Sequence, residues 1–190
     1  ALAREAIERD VPIRRDFELT PKTAEEEGLA CGGIVEIFIE PLGSPVVHIF
    51  GAGHIARQLA PLVHLVGMKC VIIDDRPQFA DSEHFPPDSQ VLVANFEDCF
   101  EPLNISPASF IVIVTRGHKY DHLVLSEAIR TSAGYIGLIG SKPKIARIYK
   151  MLREEGISQE SLDEIHAPIG LDIGSRTPEE IAVSIAAELV

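Results

Sequence analysis

The stretch Val46–Ala60, VVHIFGAGHIARQLA, decides the fold. Val46 to Phe50 is rich in the β-branched and aromatic side chains that suit a pleated strand. Gly51-Ala52-Gly53 then turns the chain into a segment that sets Ile55, Leu59, Leu62, Val63 and Val66 at helical spacing, with Pro61 expected to kink it. Gly51-Ala52-Gly53-His54-Ile55-Ala56 fits the G-x-G-x-x-G/A form. In that form the first glycine permits a tight turn and the second lets backbone approach a phosphate. A small residue at the last position lets helix meet strand, and the helix start offers free N–H groups to an anion. The next apolar run ends on Asp74-Asp75, about twenty residues on, where an acid can bind a ribose hydroxyl. Such an acid opposes a 2′-phosphate, although Arg76 beside it leaves that partly open.

Working outward, the runs CVIID (70–74), VLVAN (91–95), FIVIVT (110–115) and YIGLIG (135–140) are continuously apolar, as parallel strands buried on both faces are. Helices are expected over roughly 121–132 and 143–155. Thr177-Pro178-Glu179-Glu180 opens a last helix with a capping Thr, a Pro in the first turn and a Glu three residues on. This predicts an α/β fold: a doubly wound, mostly parallel, Rossmann-like sheet over 46–190. Residues 1–45 form a small α+β segment, with a helix near Leu2 to Ile7, a polar stretch, the strand-like GIVEIFIEPL and a Gly43-Ser44-Pro45 linker. Too short for its own core, this segment is expected to pack on the main domain or to be the tail of a truncated one. The chain opens without Met and in mid-helix character, as expected of a fragment or a processed chain.

The 190 residues carry a formal net charge of −12, which argues against a nucleic-acid or anionic-membrane surface but leaves room for one locally positive pocket. No run is long and apolar enough to predict a membrane span or a secretory signal. Cys31, Cys70 and Cys99 form no CxxC pair, and so sparse a set suits a reducing cytoplasm.

Ligands of open α/β sheets sit beyond the carboxyl ends of the strands. There FIVIVT, ending on Thr115, runs into Arg116-Gly117-His118-Lys119-Tyr120-Asp121-His122. Arg116, His118 and Lys119 can grip an anion, and Asp121 either orients His118 or caps the following helix. His118 and His122 are spaced for a shared metal but lack a third ligand. After Gly140, Ser141-Lys142-Pro143-Lys144 places two cations against a helix dipole, a repulsion that a bound anion relieves. His166 to Arg176, HAPIGLDIGSR, is Gly-rich and apolar, as a loop shaped over a site is. The plainer alternative is a sixth strand and turn over His166–Gly170, with Asp172 and Arg176 in surface salt bridges. Cys31, before Gly32-Gly33, reads either as a thiol for a soft metal or sulfur or as a small buried hydrophobe. Cys70 reads as core, and Cys99 sits in a loop without an evident partner.

Together CGGIVEIFIEPL, HIFGAGHIARQLAPL, VIIDDRPQFA, TRGHKYDHLVL, GLIGSKPK and HAPIGLDIGSRTPEEIAVSIAAE resemble the xanthine dehydrogenase accessory proteins of the XdhC/CoxI type. The resemblance implies a cytoplasmic maturation factor for molybdenum hydroxylases, a chaperone more than an enzyme with its own turnover. Such a factor binds the molybdenum cofactor (molybdopterin or its dinucleotide), supports its sulfuration with a cysteine desulfurase, and delivers it to the apo-enzyme. Carried over to these residues, Cys31 lies near molybdenum or sulfur, with His118 and Asp121 beside the chemistry. Gly51, Gly53 and His54 cradle a phosphate. Asp74, Arg76, Thr115, Arg116, Gly140, Ser141, Lys144, Asp172 and Arg176 line the pocket. Family members carry upstream Ser-Pro-Arg-rich and Gly-Gly-Cys stretches, and neither occurs in these 190 residues. An NAD(P)-dependent oxidoreductase and a dinucleotide-sensing module remain the alternatives, with NAD(P) as ligand. The assembly state stays open, a homodimer included.

Overall fold

The computed structural model describes residues 2–9, 12–19, 33–40 and 45–190. Two compact units divide at residues 43 and 44. The first holds helix α1 (Leu2–Arg9) and an antiparallel pair, β1 (Ile13–Leu19) and β2 (Gly33–Ile39). Strand β1 has no clear sequence signal: IRRDFEL carries too many charges to read as a strand until its pairing, Arg15 opposite Ile37 and Phe17 opposite Val35, is known. Cys31 lies outside the described residues, so neither reading of it meets an observation.

The second unit is a five-stranded, all-parallel sheet ordered β5-β4-β3-β6-β7, in which β3 is Val46–Phe50, β4 Lys69–Asp74, β5 Gln90–Val93, β6 Ser109–Ile113 and β7 Tyr135–Leu138. Its helices are α2 (His54–Leu65), α3 (His118–Ala128), α4 (Lys142–Glu154), α5 (Gln159–Asp163) and α6 (Pro178–Leu189). Alternation along each strand sends its side chains into two cores. Val47, Ile49, Ile72 and Val112 meet α2 and α6 on one face; Phe50, Ile73, Ile111 and Ile113 meet α3, α4 and α5 on the other. This is a Rossmann-like, three-layer sandwich.

Several expectations shift in detail. Helix α2 runs through Pro61 unbroken, with the proline on its exposed side. Its buried stripe is Ala56, Leu59, Ala60 and Val63, while Val66 is exposed. The small alanines let α6 pack close against α2. Helix α3 begins three residues earlier than the periodicity suggests, at His118, with Gly117 as its N-cap, so Asp121 does not cap it. No α-helix covers the crossovers flanking β5; a 3-10 turn at Ser82–His84 and an irregular loop serve instead. In the 166–176 stretch the sixth-strand reading meets an observation: His166 forms a single parallel bridge to Gly137. The rest lies along α6, where Leu171 N–H donates to Ser184 O at 3.2 Å and Ser184 Oγ–H to Leu171 O at 2.6 Å.

Candidate functional site

The strand order reverses between β3 and β6, because the chain leaves β3 toward β4 and β5 and returns to build β6 and β7 on the other side. The loops after these two strands therefore splay apart and leave a crevice at the carboxyl edge. A cleft of about 370 Å³ lies there, lined by Gly53, His54, Ile55, Arg76, Phe79, Val114, Thr115, Arg116 and Pro178. Five residues singled out from the sequence, Gly53, His54, Arg76, Thr115 and Arg116, thus meet at one place.

The glycine turn is built for this approach. Gly51 has φ +109°, and a Cβ there would lie 2.5 Å from Val114 O, so the turn seats directly on the end of β6. Its N–H donates to Ile73 O at 2.7 Å. Gly53 differs: nothing lies within 4 Å of where its Cβ would be, and that open space faces the cleft. Gly53 is the N-cap of α2 and no side chain caps the helix. The N–H groups of His54, Ile55 and Ala56 have no acceptor within a helix that starts here. Three helices, α2, α3 and α4, begin at this edge without a side-chain cap, whereas Thr177 and Glu180 close a full capping box on α6. Uncapped starts concentrate positive partial charge at the carboxyl edge.

Asp74 is placed differently from an acid open to a ribose. It is 1% exposed and accepts four hydrogen bonds. Arg76 donates through its backbone N–H (3.0 Å) and Nε (2.8 Å) to Oδ1; Ala52 N–H (2.8 Å) and Arg76 Nη2 (2.8 Å) donate to Oδ2. Burial pushes this carboxyl up, but the Arg76 guanidinium and the two backbone donors outweigh it and hold its pKa below the usual carboxylate value. The neighbouring Asp75 takes the Arg116 guanidinium in a fork, one arm at 2.7 Å. Arg116 Nη1 also lies 3.9 Å from Asp74, so an Asp–Arg ladder crosses from β4 to β6. Arg76 stacks on Phe79 at 3.8 Å and Arg116 on Tyr120 at 4.2 Å, which fixes both guanidinium planes.

Asp121 is fully buried and does not orient His118, which is exposed. Thr115 Oγ1 donates to Asp121 Oδ1 at 2.8 Å, and Lys144 Nζ lies 2.6 Å from Oδ2 and donates to Ile139 O at 3.1 Å. A buried carboxylate requires such partners. The three residues tie the ends of β6 and β7 to the starts of α3 and α4, so Asp121 and Lys144 hold Thr115 from behind without lining the cleft themselves. Gly140 lies against the Lys144 stem and Ser141 is the exposed N-cap of α4. Asp172 and Arg176 lie on the exposed loop: Asp172 Oδ1 sits 3.4 Å from Gly174 N, and the Arg176 backbone N–H donates to Glu180 Oε2 at 2.7 Å. No ion pair joins those two among the described residues. His122 pairs with Glu155 at 2.9 Å, and the described residues hold no group of three or more metal-ligating side chains. Cys70 and Cys99 are core residues, each thiol pushed up to about 12 by burial.

Sequence reasoning named Asp75 only beside Asp74 and gave Phe79, Tyr120 and Arg57 no role of their own. Asp75 and Tyr120 gain theirs once β4 and β6 flank β3 and bring Arg116 to the end of β4, and Phe79 once the loop after β4 folds against α2. Arg57 carried a signal in plain sight, a cation one turn into the cradle helix.

The model of the XdhC Rossmann domain matches residues 47–189. The chain belongs to this family. It is 34% identical over 169 residues to the protein YqeB of Escherichia coli K12, covering 88% of this chain and 31% of that one. With a Bacillus subtilis protein named as a probable subunit of xanthine dehydrogenase it shares 30% identity over 152 residues, covering 80% and 43%. A crystal structure of a Bacillus halodurans protein, described as a xanthine dehydrogenase, superposes with a TM-score of 0.67 at 29% identity, covering 82% of this chain and 44% of that chain. The chain therefore spans less than half the length of each of these relatives.

Proposed function

We propose that this XdhC domain binds a phosphate-bearing pterin, the molybdenum cofactor, and holds it for insertion into a molybdenum hydroxylase of the xanthine dehydrogenase type. The observation that carries the reading is the uncapped start of α2 behind Gly51 and Gly53, opening into the cleft at the switch point. The α2 N–H groups would donate to the phosphate oxygens at one end of the cofactor, and open space at Gly53 lets it approach the backbone. Thr115 and the flat faces of Arg76 and Arg116 would position the rest, with Asp121 and Lys144 fixing the Thr115 hydroxyl. The cofactor itself supplies the molybdenum and its dithiolene, which the client enzyme uses. The chain's own residues bind, orient and shield it. The names of the Bacillus relatives favour a client of the xanthine dehydrogenase type. Sulfuration with a cysteine desulfurase, with Cys31 as the thiol, belongs to the same reading.

Protein purified from cells that make the cofactor should release a fluorescent pterin on oxidative denaturation, in amounts approaching one per chain. Release no greater than from an unrelated Rossmann-fold protein sinks the proposal.

A further inference from the structure

The end of β4 is where an open parallel sheet ordinarily recognises a ribose, through a carboxylate that accepts from both hydroxyls of the diol. Asp74 stands at that place with nothing left to offer. A carboxylate has about four lone-pair sites, and Ala52 and Arg76 supply four donors, at 2.8, 3.0, 2.8 and 2.8 Å. A diol could bind only by expelling Arg76 from a buried, bidentate pair.

The cations here outnumber the acids. Arg57, in the first turn of α2, lies 5.7 Å from the centre of the Phe79 ring, which Arg76 also covers. Asp74 and Asp75 are matched by Arg76 and Arg116, which leaves Arg57 over. No carboxylate pairs with it among the described residues, and its Nε is shut off from solvent without a hydrogen-bond partner. An unsatisfied, desolvated donor is costly, and more so on a charged group. In a chain of net charge −12, an unmatched guanidinium beside a phosphate cradle has the character of an anion site.

We propose that Arg57, Phe79 and Arg76 form a phosphomonoester subsite on the β4 side of the cleft, and that the Arg76 lock on Asp74 excludes a bare ribose diol from it. This rests on the reading of the cleft as a site for a phosphate-bearing ligand and adds a second anion position to it. A ligand with a phosphate monoester at this end is held by the free edge of Arg57 over the Phe79 ring. A ligand that needs Asp74 for a ribose is refused.

NADPH and NADH are suitable probes, because they differ only by the phosphate on that ribose. By titration calorimetry NADPH should bind at least about tenfold more tightly than NADH, a gap of about 1.4 kcal/mol, and the preference should shrink with added salt. Arg57→Met should bring the two to parity while Arg57→Lys keeps part of the preference. Arg76→Ala, by freeing Asp74, should raise NADH affinity. Equal or tighter NADH binding to the unaltered protein overturns the proposal. So does a preference untouched by Arg57→Met in a variant whose urea midpoint is unchanged, or no binding of either probe at millimolar concentration. Molybdopterin retention is measured separately. NADPH preference without it removes only the cofactor reading, and retention without preference removes only the subsite.

Discussion

At the scale of single residues, Gly51 and Gly53 share a motif but not a task. Gly51 is held at φ +109° against Val114 O, so Gly51→Ala should cost about 2 kcal/mol or more in urea denaturation, through backbone strain and a clash that cannot relax. His48, in the middle of β3, shows what the sequence concealed. It is 3% exposed, its Nδ1 has no partner, and it borders a cavity of about 340 Å³ with Lys69, Asp88, Gln90 and Asn104. Burial lowers its pKa below the ordinary 6.5, against the pull of the Val46 and Phe110 carbonyls. Because the folded pKa lies below the unfolded one, the unfolded chain binds more protons, and stability falls as pH drops through about 6.5. His48→Phe should flatten that acid-side decline in urea midpoints measured between pH 7.5 and 5. A variant that keeps the full slope would show that other groups set it. Alternation along VVHIF places residue 48 on the same face as Phe50, yet nothing in the sequence distinguishes a buried histidine from a reactive one.

At the scale of elements, the contrast is between helices that close their own starts and helices that leave them open. Thr177 and Glu180 cap α6, and Thr177→Ala should lower stability by about 1 kcal/mol. Gly53→Asp should do the reverse: its carboxylate would take the free N–H groups of α2 and raise stability by a few tenths of a kcal/mol. It should also expel any anion from the cradle. A thermal melt in which Gly53→Asp is strongly destabilised would mean that the open start is already used by the fold. The elements themselves were largely legible, because parallel strands write themselves as unbroken Val/Ile runs and the Thr177 box is local chemistry, although the edge strand β5 is only part-buried rather than buried on both faces. The start of α3 was not, since His118-Lys119-Tyr120 carries no apolar periodicity and its N-cap is a glycine. The partners of Asp121 were equally hidden: Thr115 and Lys144 come from a strand end and another helix, brought together only by the sheet order.

At the scale of the molecule, both apolar cores lie wholly between Val46 and Leu189. Residues 45–190 expressed alone should therefore unfold in one cooperative transition in urea and keep the cleft; a broad, non-cooperative melt would show that this unit depends on the rest of the chain. The glycine cradle, the Asp74 brace and the arginine ladder all reside in that unit, at the one edge where the sheet's strand order reverses. The carboxyl-edge location followed from the motif and the strand pattern. The locked state of Asp74 did not, because an Asp two residues before an Arg does not reveal whether the two point at each other or at a ligand. The central claim is that this edge holds the phosphate end of a molybdenum pterin, and anaerobic titration of molybdopterin into the unaltered protein and Gly53→Asp tests it most directly. Binding at micromolar affinity or tighter, weakened at least about tenfold by Gly53→Asp, is the predicted result; equal affinity for both proteins, or none for either, would contradict it.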